Sequence, residues 1–157
     1  MKRFLHLLIF ISICSFGQNQ NSTSLKLTET DSLYLTSIKK YIVLVESNYN
    51  KVVNEKQPKT IFVEDEDYLY RIPDSVNGYR IQKFSLGDSK LFKKNNKELR
   101  YVKIFPLEID KGKFKIPFVH FFAKLKKRNH LVITNINSSY VFFEFKNGHL
   151  IYDRTEK

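Results

Sequence analysis

The sequence predicts an α+β fold in which one long N-terminal amphipathic helix packs on a curled antiparallel sheet. Three observations carry that expectation. Leu35, Ile38, Ile42, Val45, Tyr49 and Val52 recur at alternating spacings of three and four, which is one apolar stripe of a helix. From Leu99 onward, runs rich in aromatic and β-branched residues alternate with polar turns, the pattern of a β-meander. Within that half, Asn147-Gly148 sits between two strand-like runs and marks a type I′ hairpin.

The helix is expected over Ser32 to Asn54, with Asp31 as its N-cap. Lys39, Lys40, Glu46, Asn50 and Lys51 fall off the stripe, toward water. Its single apolar face implies docking on something flat, most simply a sheet. Pro58 closes this region, and Ile61-Phe62-Val63 is a short apolar run. The acidic tetrad Glu64 to Asp67 invites comparison with a calcium loop, but Leu69 and Tyr70 stand where such a loop needs an oxygen ligand and a glycine. It reads instead as a turn or a helix start favoured by negative charge. Tyr68 to Ile72 suits a short helix or strand. Pro73-Asp74-Ser75 and Asn77-Gly78 are turns, and Tyr79 to Ser85 is a strand. Gly87-Asp88 opens a short basic helix from Ser89 to Lys97.

In the β half, Arg100 to Ile109 is strand-like, with Pro106 marking a bulge or an edge. Asp110-Lys111-Gly112 is a hairpin turn leading into a long strand, Lys113 to Lys126. Its even positions, Phe114, Ile116, Phe118, His120 and Phe122, form one apolar face holding a single histidine. Its odd positions change from basic (Lys113, Lys115) to apolar (Val119, Phe121, Ala123, Leu125). Leu131 to Ile136 and Tyr140 to Phe145 read as two further strands, and the Asn147-Gly148 hairpin leads into His149 to Tyr152. A helix followed by a curled antiparallel sheet resembles the element order of cystatin-like and nuclear-transport-factor-like folds. That resemblance spans roughly Ser32 to Asp153 and implies only that one sheet face is covered. The other face is then a cavity, a dimer interface or open surface.

The first seventeen residues follow the grammar of a secretory signal peptide. Lys2 and Arg3 are its positive start, Phe4 to Ile13 its apolar run, and Ser15-Phe16-Gly17 a small-residue cut site. The expected organisation is therefore a signal peptide over 1–17, a polar lead-in over 18–30 and a single α+β domain over 31–157. The expected product is periplasmic or secreted, disulfide-free and without a transmembrane segment, because cleavage removes the one cysteine, Cys14. The alternative is lipid anchoring through Cys14, although Ile13 is larger than the residue that usually precedes a lipidated cysteine. A retained N-terminal anchor is the third reading.

The net charge of +11 is local. Leu86 to Arg128 holds thirteen Lys and Arg against four acids, and the remainder of the chain beyond Gly17 sums to zero. A basic surface concentrates anions, so Lys124, Lys126, Lys127 and Arg128 are the candidates for meeting an anionic envelope component or an acidic protein. A merely solvated lysine-rich surface explains the same run. Nucleic acid is not expected, because no recognition motif is present and the export signal argues against it.

The chain carries no constellation for catalysis. His120 is the one weak catalytic candidate, an imidazole within an apolar register that titrates near neutrality. Its alternative role is a hydrogen-bonded core histidine. His130 and His149 lie beside turns, Glu108 and Asp110 beside a hairpin, and none has a zinc or acid-base spacing. No metal or cofactor is expected. The sequence thus points to a non-catalytic exported binding module using its basic surface or an aromatic sheet face, with homodimerisation through that face a further option. A small ligand-binding protein or enzyme with a cavity around His120 is the alternative. N-terminal sequencing of the exported product should begin at Gln18; a diacylglyceryl-modified Cys14 at the terminus would establish lipid anchoring instead.

Overall fold

The computed structural model describes residues 27–50, 59–127 and 130–157. The signal region with Cys14, residues 18–26 of the lead-in, the expected helix end at 51–54, Pro58 and Arg128 lie outside the described residues. The architecture is α+β, an N-terminal helix on a mixed eight-stranded sheet that is neither closed nor strongly curled.

Helix α1 spans Glu29–Asn50. It begins before the expected Ser32 because Thr28 is the residue that caps it, and Asp31 is the third residue inside. The two form a reciprocal box. Asp31 donates its backbone N–H to Thr28 Oγ1 at 3.1 Å, and its carboxylate accepts the Thr28 N–H at 2.8 Å and the Thr28 hydroxyl at 2.6 Å. Those bonds, helped by Arg71, hold the Asp31 carboxyl below its ordinary pKa. The buried stripe also differs from the expected one. Tyr34, Ile38, Tyr41 and Ile42 are buried, whereas Leu35 is half-buried. Aromatic rings replace aliphatics because each finds a specific partner. Tyr34 accepts the Leu107 N–H at 3.1 Å, and Tyr41 stacks on Phe118 with ring centroids 4.7 Å apart.

Eight strands follow. They are β1 (Thr60–Glu64), β2 (Ser75–Val76), β3 (Tyr79–Phe84), β4 (Glu98–Ile104), β5 (Glu108–Asp110), β6 (Lys113–Leu125), β7 (Leu131–Lys146) and β8 (His149–Glu156). A 3₁₀ turn, Asp67–Leu69, follows β1, and helix α2, Ser89–Lys94, joins β3 to β4. The sheet order is β2-β3-β1-β4-β6-β7-β8, with β5 paired to β6. The C-terminal half is antiparallel, as its hairpin turns dictate. The sheet as a whole is not, because β1 runs parallel to both β3 and β4. The chain passes from β3 through α2 to β4 with β1 lying between them, a split β-α-β unit. Short tight turns specify antiparallel neighbours, whereas a parallel neighbour depends on where a crossover lands.

Asn137 to Ser139, expected to separate two strands, do not end one. β7 runs on because β6 satisfies its backbone on one side; its register shifts at a bulge opposite the His120/Phe121 step and again against β8 between Val141 and Phe143. Two prolines sit where their missing N–H groups do least harm. Pro106 lies in the gap between β4 and β5. Pro117 directs its carbonyl at the Phe105 N–H, at 2.9 Å, so its nitrogen also faces that gap.

The change along β6 from a basic to an apolar odd face has a direct structural cause. α1 covers the even face, where Ile116 and Phe118 join Val102, Ile104, Val141 and Phe143 in the larger core. α2 covers only the far half of the opposite face, where Ala123 and Leu125 pack with Phe84, Leu91, Phe92, Leu99 and Tyr101. Asp88 caps α2 by accepting the Lys90 and Leu91 N–H groups, both at 3.1 Å. Phe118 is fully buried at the centre of the α1 layer, so Phe118→Ala should cost about 3–5 kcal/mol in chemical denaturation. Phe145→Ala, on a residue 63% exposed, should change stability by no more than about 0.5 kcal/mol.

Candidate functional site

His120 lies at the seam between the two cores. Its strand neighbour Phe118 belongs to the α1 layer and the next residue, Phe121, packs against the α2 layer. Directly across the ladder from His120 on β7 is Asn137, and on β4 it is Val102. Beside this trio the parallel pair β1/β4 is joined in register at a single position, Val63 opposite Val102. Thr60, Ile61 and Phe62 on one strand and Arg100 and Tyr101 on the other therefore border a cleft of about 310 Å³, which His120 and Asn137 also line. That volume is at the lower end of the range for small-ligand sites, about 300–1,000 Å³.

The polar chemistry of the cleft is incomplete within the protein. His120 Nε2 and Asn137 Oδ1 are both buried and neither meets a hydrogen-bond partner among the described residues. Such groups are uncommon, since an unpaired buried donor or acceptor costs about 1–3 kcal/mol. The second neighbour along β7 is Ser139, also buried but opposite Phe118 and under Tyr41. Desolvation, and next the charge of Lys157, push the His120 pKa below its ordinary 6.5, so the ring is neutral at pH 7. Tyr41 and Tyr101, which also line the cleft, are kept protonated by burial, Tyr101 being pushed up to about 12. Among the described residues no carboxylate lines the cleft. The imidazole consequently lacks an acid to orient it or to stabilise its cation, and the arrangement suits hydrogen bonding better than proton transfer.

A second cleft of about 320 Å³ lies at the N-terminal end of α1, between Leu33 and Tyr34 on the helix and Phe143, Leu150 and Tyr152 on the sheet. Two of its polar groups are engaged: Tyr34 accepts from Leu107, and Glu29 lies 3.2 Å from His149 Nδ1. Thr30, Ser32 and Thr36 also line it, and it holds none of the buried unpartnered polar atoms found among the described residues.

The other candidate residues do not converge on one place. Lys124 pairs with Glu98 at 2.5 Å, and Lys126 and Lys127 are exposed at the end of β6. Lys115 is held by Asp110 at 3.0 Å and Glu108 at 3.7 Å. Lys103 is clamped between Glu64 at 3.0 Å and Glu66 at 2.7 Å, which accounts for half of the acidic tetrad. Lys113 and Lys115 lie at one end of β6, about 40 Å at roughly 3.3 Å per residue from Lys124, Lys126 and Lys127 at the other, where α2 and the start of β4 also pack and the Lys97 carbonyl accepts the Leu125 N–H. His130 is exposed. Among the described residues no group of three His, Cys, Asp or Glu side chains is placed to hold a metal ion. On the α2-side face of the sheet, beyond the reach of α2, Tyr140 and Phe142 form a half-buried aromatic pair. Lys115 Nζ lies 5.2 Å from one ring centroid and Arg154 Cζ 4.3 Å from the other.

Asn137, Arg100 and Tyr41 were not among the site residues that the sequence suggested. Asn137 lies in a polar run that resembles a loop, and its place opposite His120 depends on the β6/β7 register. Comparison with known proteins finds no matching family model, no matching curated protein and no matching solved structure. Among the described residues, no helix is long and apolar enough to cross a membrane.

A neutral buried histidine makes stability depend on pH in a defined direction. The unfolded chain binds the His120 proton first, so stability is full above pH 6.5 and declines as pH falls from there toward the lower folded pKa. In urea titrations across pH 5 to 8, His120→Phe should lose that decline. It should also match or exceed the natural chain at pH 7, because it removes an unpaired buried nitrogen.

Proposed function

We propose that this chain is a non-catalytic binding protein that takes a small ligand in the cleft beside His120. The observation that carries this reading is the pair of unpartnered buried polar atoms, His120 Nε2 and Asn137 Oδ1, facing one another across the β6/β7 ladder in the wall of that cleft. Structural polar groups in a core pair with each other, whereas recognition groups keep their bonding capacity for something that arrives. The nearby bulge in β7 supports the same reading, since bulges recur where a strand must re-aim side chains beside a site. The likeness of element order to cystatin-like and nuclear-transport-factor-like folds contributes only geometry, a helix over one sheet face with the site beside it.

The proposed setting is the bacterial envelope or exterior, reached by export and cleavage after Gly17. A second reading, docking of an acidic protein or an anionic envelope component, draws on the Tyr140–Phe142 pair with its flanking cations rather than on Lys124, which is already paired. That same face would serve a homodimer.

A fragment library screened by protein-observed NMR discriminates these readings. Small-molecule binding at the proposed site should perturb a contiguous set of resonances at Ile61, Val102, His120 and Asn137, and Asn137→Leu should abolish those shifts without unfolding the chain. Perturbations confined to Tyr140, Phe142 and Arg154 would transfer the function to the aromatic face, and a screen without hits at the cleft would end the ligand reading.

A further inference from the structure

We infer that the ligand of the His120 cleft is a small organic anion with a flat, largely apolar body, an inference that rests on the binding reading above. Three features of the lining specify that class. The walls are apolar or aromatic where they are not His120, Asn137, Thr60 or Arg100, with Ile61, Phe62, Phe121 and Ile136 among them. A flat body suits a lining that includes the rings of Tyr41, Phe62, Tyr101 and Phe121, on which it can stack. Among the described residues Arg100 is the one charged side chain lining the cleft; it is exposed and makes no ion pair with any of them. Most cations of the surrounding sheet are otherwise engaged, as Lys103, Lys115 and Lys124 show.

A second cation lies near the inner end of the cleft. The register of β8 on β7 puts Glu156 opposite Tyr140, so Lys157 follows at the level of Ser139, two residues from Asn137 on the same strand. Its charge is felt at His120. An unpaired guanidinium is matched to a carboxylate or another planar oxyanion, to which it donates two parallel hydrogen bonds. At the inner end, Asn137 Oδ1 accepts and His120 Nε2 either donates or accepts according to its tautomer. The ligand therefore carries its anionic group toward Arg100 and a hydroxyl or amide toward the His120–Asn137 pair.

The test uses two probes that differ only in charge, 3-phenylpropanoate and its neutral isostere 3-phenylpropanamide, titrated into the full chain and followed at His120 and Val102 by NMR. The carboxylate should bind at least tenfold more tightly, and the preference should shrink with added salt. Arg100→Gln should bring the two probes to equal affinity, while Arg100→Lys should retain part of the preference and so separates charge from local damage. Equal binding by the natural chain, or tighter binding of the amide, would overturn the anion assignment and leave the cleft as a site for neutral ligands. Binding of neither probe, with fragment hits still mapping to the cleft, would also overturn the anion class. Loss of all cleft hits would remove the underlying ligand reading.

Discussion

The antiparallel half of the sheet and both covering helices are organised around β6. Its thirteen residues pair with β4 and β5 along one edge and with β7 along the other, so four strands share one backbone. Both its faces must be dry, but not along the same length. The even face is covered by α1 around Ile116 and Phe118, and the odd face by α2 around Ala123 and Leu125. The Tyr41–Phe118 stack fixes the first cover and the Asp88-capped α2 fixes the second. A strand covered by two helices on opposite faces, offset along its length, has a seam where one cover ends and the other begins. His120 and Phe121 are that seam.

The cleft follows from this offset. α1 is directed by its aromatic contacts, and α2 is held by the split β-α-β connection. Between them β1 and β4 are joined in register at one position only. Thr60 on β1 and Arg100 on β4, beyond that position, line the cleft. The β7 bulge lies opposite the same step of β6. Several local irregularities therefore coincide at one place, and the two unpartnered polar atoms are found there rather than scattered through the core. Elsewhere the polar groups of the interior are used locally. Ser37 donates to the Leu33 carbonyl at 2.9 Å, and the Tyr68 hydroxyl donates to the Ile104 carbonyl at 2.6 Å.

Charge shows how far sequence proximity can mislead. Thirteen cations crowd one stretch of chain, yet β6 carries Lys113 and Lys115 about 40 Å from Lys124, Lys126 and Lys127, while α2 packs beside the latter end. The acids that neutralise Lys103 come from the tetrad between β1 and the 3₁₀ turn, far away in sequence. Arg100, inconspicuous among its neighbours, is the cation at the cleft that makes no ion pair among the described residues. A linear charge count measures neither separation in space nor pairing.

The sequence by itself determined the local elements, because periodicity and turn chemistry act over a few residues. The existence of α1 with Ile38 and Ile42 on its buried face, the Gly87-Asp88 start of α2, the long β6 and the turns at Lys111-Gly112 and Asn147-Gly148 were all legible. At both turns the two residues adopt the positive φ values that a tight hairpin requires. The change of pattern along β6 was legible too, although its cause was not. Tertiary structure alone decided that β1 pairs in parallel, that the Asn137–Ser139 run stays in a strand, and that Thr28 rather than Asp31 caps α1. It alone set Asn137 opposite His120 and, among the described residues, left Arg100 without an ion pair. The physical reason is shared by all of these except the cap: register and crossover landing are fixed by residues distant in the chain, and no local pattern encodes them. The cap turned on which of two nearby capping side chains closed the box, a competition that residue type alone does not settle.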